Sequence, residues 1–580
     1  MPSPISKFAA VAAIFVSLAT PAILGQSVRS VPSQYSTIQG AITAAAPGDR
    51  IEVAAGTYVE QIDFQGKDVQ VIAIAGSSLT TISGGGAVGR VVTFAGGETA
   101  AALLRGFTIR NAVATTTAAP STGGILIVGA SPTIKSCVVR NNSTKSPAGA
   151  GISIVGGSPV IEDSIIHANS CQPNPGYGGG SGGGIDVDGG ATVRIRRCVI
   201  VDNTVSGYGG GVCLRSGSEV HIESCRISDN HANGDPGGLG GGIAAATSFV
   251  FPPSTTPLRL FVSSTLIASN DCVGYAPQGG GILFQGSQIE LTNCTIAGNY
   301  MQNYSGGNPQ TLGPGVCALP FGGGPITAWM HNTIVWNNFY INYPASLQSV
   351  PQVVGSFLAT KCCLQTNVLG AGNISADPLF SGGTDFRLSA ASPCRDTGTL
   401  DSEFISAADD TKNPRIIGSS IDIGADEYPT TVLGSTGSPL DGNIGAASGA
   451  LVQTLFVDAT AGNSAHLVHR GVGTPFVLTL NTPATWGQTP YVLMAEDAAL
   501  NGAGSFAYPT GVLAMIPPFA GLPSTALIIA SSVVAPTGPP APVSLPPAAI
   551  PFAVDLLIQG LVIDPSGAIL STNGIRLVVR

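Results

Sequence analysis

The residues of this chain best suited to acid–base chemistry lie close together. Asp186 and Asp188 follow one Gly-rich triplet, and Arg215 follows the next. In an alternating strand Asp186 and Asp188 share a face, and Arg215 falls on that face one segment later. A carboxylate pair beside a guanidinium can supply acid and base, or hold Ca²⁺ together with a uronate. The plainer alternative is an ion pair filling a strand face. A second set is aromatic: Trp329, Trp336 and Tyr340, with His331 among them. Exposed rings can stack on sugar faces, and buried ones can close a core. A third set, Asp422, Asp426 and Glu427, is a weak candidate for a bound cation such as Ca²⁺. No other cofactor is implied. The sequence has no CxxC pair, no GxSxG and no P-loop.

These residues stand out because charge is scarce. Only 10% of the 580 residues are charged, and 24 Lys+Arg face 33 Asp+Glu for a net charge of −9. So few cations argue against a nucleic-acid partner, which needs a basic face. The chain is 44% hydrophobic, which excludes a disordered polar tract. The 78 glycines cluster rather than falling at every third position, which excludes collagen.

An internal repeat positions the candidate residues. The segments IKSCVVRNN, IEDSIIHAN, IRRCVIVDN, IESCRISDN, VSSTLIASN, LTNCTIAGN and MHNTIVWNN each end on an Asn five residues after a Cys, Ser or Thr. The first residues are Cys137, Ser164, Cys198, Cys225, Thr265, Cys294 and Thr333. The asparagines are Asn142, Asn169, Asn203, Asn230, Asn270, Asn299 and Asn338, with a weaker early copy at Asn111. A Gly-rich corner precedes an apolar residue in each copy, as in Gly182-Gly183-Gly184-Ile185. The shortest period, Asn142 to Asn169, is 27 residues. That length holds about three short strands and predicts a β-solenoid of about ten coils. Stacked coils lie about 4.8 Å apart, so equivalent asparagines should form an inward ladder.

These Asn and Gly repeats resemble right-handed parallel β-helix proteins of the pectate-lyase-like class. The opening Tyr35 to Ala73 is similar to theirs and implies a cap helix over Thr37 to Ala45. Downstream, Ala376-Asp377-Pro378-Leu379-Phe380, Ser392-Pro393-Cys394 and Asp422 to Tyr428 resemble the choice-of-anchor Q module that closes many bacterial surface β-helices. The resemblance implies an extended polysaccharide along the outward strand faces. The polygalacturonase-like and pectate-lyase-like catalytic motifs are absent.

The expected organisation is a secretory signal over 1–26, a parallel β-helix over 27–345, a closing module over 346–429 and a β-sandwich-like domain over 430–580. Lys7 followed by the apolar run Phe8 to Leu18 carries the signal reading. No later stretch reads as a membrane span. The outward column Lys135, Glu162, Arg196, Glu223 alternates in sign, as cross-strand pairing predicts. Eleven cysteines leave at least one unpaired, with one disulfide expected among Cys362, Cys363 and Cys394. The leading expectation is a secreted or cell-surface, non-catalytic protein that offers a long rigid face to glycans or envelope components. The alternatives are a lyase or hydrolase of acidic polysaccharide using Asp186, Asp188 and Arg215, and a purely structural stalk.

Overall fold

The computed structural model describes residues 26–428, except 87, 115–122, 146–148, 173–178, 235–237, 247–255, 305–312, 321–323, 343–345, 349, 367–369, 383–384, 400–414 and 416–419. From 429 onward it describes only strands between Val452 and Val579. The signal reading over 1–26 falls almost wholly outside the described residues.

One coil shows the pattern. The chain runs through Ile125–Val128, Thr133–Lys135, Val138–Arg140 and Ser143–Thr144 before the next coil begins. We label the four stacks of such strands sheets I to IV in that order. They contain ten, twelve, eleven and nine strands. Pairing is parallel and in register, as in Ile125↔Ile152 and Val138↔Ile165, except that the last strand of sheet IV, Ser346–Gln348, pairs antiparallel. From Val113–Ala114 onward, where sheet IV begins, a coil therefore has four strands rather than three. The fourth is often only two residues long and carries no alternation to read, which hides it in the sequence.

Inside the coil, Ile, Val and Leu of sheets I to III form one continuous buried core. The polar rows close the corners. Asn142 Nδ2 donates to Asn169 Oδ1 at 3.0 Å, and the chain of amides continues through Asn203, Asn230, Asn270 and Asn299 to Asn338. Each Nδ2 also reaches the backbone of the preceding coil, as Asn203 does to Ile166 O at 2.9 Å. Asn111 is not a rung. It takes the left-handed corner position (φ 59°), and the buried Ala112 occupies the ladder place. The early copy is offset by one residue.

The glycines make the other corner. A Cβ on Gly241 would lie 2.4 Å from Asp271 O and 2.5 Å from Gly280 O. Only a bare Cα fits between two backbones that close.

The ends are covered differently. Helix α1, Ile38–Ala44, is capped by Thr37, whose Oγ1 accepts from Gly40 N at 3.0 Å. Ile38, Ala41 and Ile42 face the first coil. At the other end the coil continues past residue 345, through Val353–Val354, Leu358–Thr360 and Cys363–Leu364 in sheets I, II and III. The following segment, expected as a closing module, packs on the side of the coil. It lies along the outer side of sheet III. Leu388, Cys394 and Ile423 pack on Ile334, Trp336 and Cys363, and Phe386 and Ala425 pack on Leu266 and Ala268. Ala425 N donates to Thr295 Oγ1 at 2.9 Å. All eleven cysteines are buried free thiols, and of Cys362, Cys363 and Cys394 only Cys363 and Cys394 share a cluster. Cys362 instead continues the inward Cys/Ser/Thr row.

The nine strands beyond Val452 pair in two sheets, mostly antiparallel. Among the described residues no helix is long and apolar enough to cross a membrane.

Candidate functional site

Sheet I brings Asp186, Asp188 and Arg215 together as the spacing predicts. Asp186 pairs with Cys213 in register, which places Arg215 level with Asp188. Arg215 Nε donates to Asp186 Oδ1 at 3.1 Å, and Nη2 to Asp186 Oδ2 at 2.7 Å. Nη2 also lies 3.2 Å from Asp188 Oδ2. The row itself is not open to solvent. Leu126, Ser153, Asp186, Cys213, Ala244, Leu283 and Cys317 are all buried. Sheet IV supplies further buried residues at this level, with Cys171, Val205, Ala232 and Cys272 all fully buried on its inner rows. Burial pushes the Asp186 carboxyl above the ordinary aspartate range, with Arg215 pulling against it. Burial opposes the charge on Arg215, but Asp186 raises its pKa regardless. The outward carboxylate expected at Asp186 is therefore a sealed ion pair. Only Asp188 and Arg215 keep partial exposure, 21% and 14% of their side chains.

Sheet II carries the alternating charges. Glu162 receives Lys135 at 2.8 Å and Arg196 and Arg197 at 3.2 Å each. Arg197 also grips Asp163 at 2.8 Å. Burial raises the Glu162 pKa, but Lys135 and the two arginines outweigh it and hold the carboxyl low. Further along the same face His221 stacks on Phe261 at 4.6 Å. Trp329 is level with Glu290 and half-buried, and His331 bonds Thr360 Oγ1.

The aromatic candidates separate. Trp336 is buried under the closing segment and Tyr340 behind sheet IV, so neither ring faces solvent. Trp336 follows sheet III alternation onto the side that the segment covers. Tyr340 lies on the inner row of a strand the sequence did not show.

The outer row of sheet IV holds the groups that sequence reasoning missed. Thr204, His231, Asp271, Tyr300 and Phe339 stand in register on consecutive coils. His231 Nδ1 meets Asp271 Oδ1 at 2.9 Å, and Tyr300 donates its hydroxyl to Asp271 Oδ2 at 2.9 Å. Tyr300 and Phe339 stack at 5.5 Å and 9°. Tyr275 and Tyr304 meet edge to face at 6.2 Å at the ends of the same strands. Among the described residues the exposed aromatic side chains are Tyr275, Tyr304 and Phe339, all on this sheet. The bond to Asp271 raises the His231 pKa above 6.5. The signal was there in the residue after each ladder Asn, one place past the motif.

The late carboxylates are committed to turns. Asp422 accepts from Asp396 N and Tyr428 N at 2.7 Å each. Glu427 Oε1 accepts from Asp422 N at 3.0 Å and faces the buried Arg415 at 3.4 Å. Among the described residues Asp422, Asp426 and Glu427 do not make a three-ligand metal cluster.

Stacked parallel sheets closed by an asparagine ladder define a parallel β-helix. Residues 123–340 match the family model described as the right handed beta helix region, so the fold here is a right-handed parallel β-helix. No curated protein matches the chain.

Proposed function

We propose that this is an exported, surface-acting β-helix protein that binds glycans along the outer row of sheet IV without turning them over. The observation that carries the reading is the grouping of Tyr275, Tyr304 and Phe339, the exposed aromatic side chains among the described residues, beside the His231–Asp271–Tyr300 hydrogen bonds. Rings give apolar faces for the CH groups of sugars, and the His–Asp pair gives directional hydrogen bonds. The row runs along the coil axis, which suits an extended chain. The burial of Asp186 and its double bond to Arg215 support the non-catalytic part, because a sealed, paired carboxylate is a poor general base. The segment 376–428 is read as the closing module its motifs resemble, here holding sheet III.

A glycan array run beside a product-release assay tests this. Binding without products is the expected result. Products that vanish in Asp188→Ala would instead establish the lyase or hydrolase reading. No binding to any glycan would leave the structural stalk.

A further inference from the structure

Cys362 and Cys363 are neighbours in sequence and face opposite ways. Cys362 lies in the main core with Met330 and Leu364. Cys363 points outward from sheet III, level with Ile334, into the cluster that holds Trp336, Leu388, Cys394 and Ile423. Strand alternation forces this division. Cys394 comes from the closing segment, where Ile423 N donates to its carbonyl at 2.8 Å. Cys363 and Cys394 are thus buried in one cluster, brought there from two layers, with Cys363 Sγ donating to Ala376 O at 3.2 Å.

The other thiol neighbours differ. Cys198 and Cys225 stand on adjacent in-register coils, Cys198 N reaching Cys225 Sγ at 3.3 Å. Their Cβ atoms repeat at the strand spacing of about 4.8 Å, beyond the roughly 3.5–4.5 Å a disulfide takes. Their thiols interact with each other and also donate to Arg196 O and Glu223 O, at 3.2 Å each, so it is the strand spacing that sets this pair apart.

We propose that Cys363 and Cys394 are a disulfide site, oxidised when the chain folds in a medium containing a disulfide oxidant, and that the bond staples the closing segment to the last coil. In the step one Sγ–Sγ bond forms and the two thiols give up two protons and two electrons. A small-molecule disulfide such as oxidised glutathione accepts them and leaves as two thiols. The seated pair exchanges slowly, because the neighbouring Cys363 and burial raise the Cys394 pKa and little thiolate is present. The bond therefore forms while the segment is docking.

The test uses the full chain refolded in oxidised and reduced glutathione, blocked with N-ethylmaleimide, digested and analysed by mass spectrometry. The same peptides are sought in protein purified from an oxidising and a reducing host compartment, which needs no refolding. The expected result is one peptide pair joining Cys363 to Cys394, with Cys198 and Cys225 fully alkylated. The oxidised form should unfold about 5 °C higher than the reduced form. That difference should disappear in Cys394→Ser and persist in Cys362→Ser. A native fold lacking this link under oxidising conditions would overturn the proposal, as would a link that uses Cys362 in place of Cys363.

Discussion

Arg215 holds Asp186 by two hydrogen bonds, at 3.1 and 2.7 Å, across adjacent coils of sheet I. Asp186 is fully buried, so the pair is an internal brace and not an open acid–base site. Removing the guanidinium leaves a buried carboxylate without its countercharge. Arg215→Ala should therefore cost about 3–5 kcal/mol in denaturant unfolding. Asp186→Asn combined with Arg215→Met should recover most of that loss, since an apolar replacement of a buried pair is often neutral.

The asparagine ladder makes a separate prediction. Asn230 Nδ2 donates to Asn270 Oδ1 at 2.9 Å and to Ile200 O at 2.9 Å, while its own Oδ1 accepts from Asn203. Asn230→Ala leaves these buried groups unpaired and should destabilise by about 1–3 kcal/mol. Asn111→Gly, at the exposed left-handed corner (φ 59°), removes no ladder bond and should change stability by less than about 0.5 kcal/mol. Paired urea titrations check both.

The glycine corner predicts a steric effect. Gly241→Ala puts a methyl 2.4 Å from a carbonyl oxygen of the coil's own backbone. Neither strand can retreat without breaking ladder bonds. A loss of at least about 1–3 kcal/mol is expected in thermal unfolding.

His231 gives a pH dependence. Its folded pKa is raised above 6.5, first by the hydrogen bond to Asp271 and against burial. A raised folded value means the contribution is fully present below the unfolded value of about 6.5. It is lost as pH rises through the folded pKa. NMR titration of the imidazole should show the raised value, and Asp271→Asn should bring it down. Stability of the wild type should fall over that window more than stability of the variant.

The parts of the fold that were legible are those that repeat. The Asn and Gly positions recur because each coil must turn at the same place, so Asn142 to Asn338 and the corner before Ile185 could be read directly. The resemblance of Tyr35 to Ala73 implied the cap helix, which Thr37 caps and Ile38, Ala41 and Ile42 anchor. What was hidden depends on layers lying outside the coil. Asp186 reads as outward and is outward, but Ser170–Cys171 and its equivalents form a fourth sheet that seals it. That strand is too short to carry a pattern. Trp336 has the same history: alternation places it outside, and residues 50 to 90 positions later cover it. The candidate row of His231, Asp271, Tyr300 and Phe339 became visible only when that fourth sheet was in register.

The measurement that tests the account most directly is calorimetric titration of an array-positive oligosaccharide into wild type, Tyr304→Ala, Phe339→Ala and Trp329→Ala, with products assayed in the same samples. The account predicts that Tyr304→Ala and Phe339→Ala each weaken binding about tenfold, near 1.4 kcal/mol, that Trp329→Ala binds as the wild type does, and that no product forms. Unchanged affinity in the two sheet IV variants, or product released by the wild type, would contradict it.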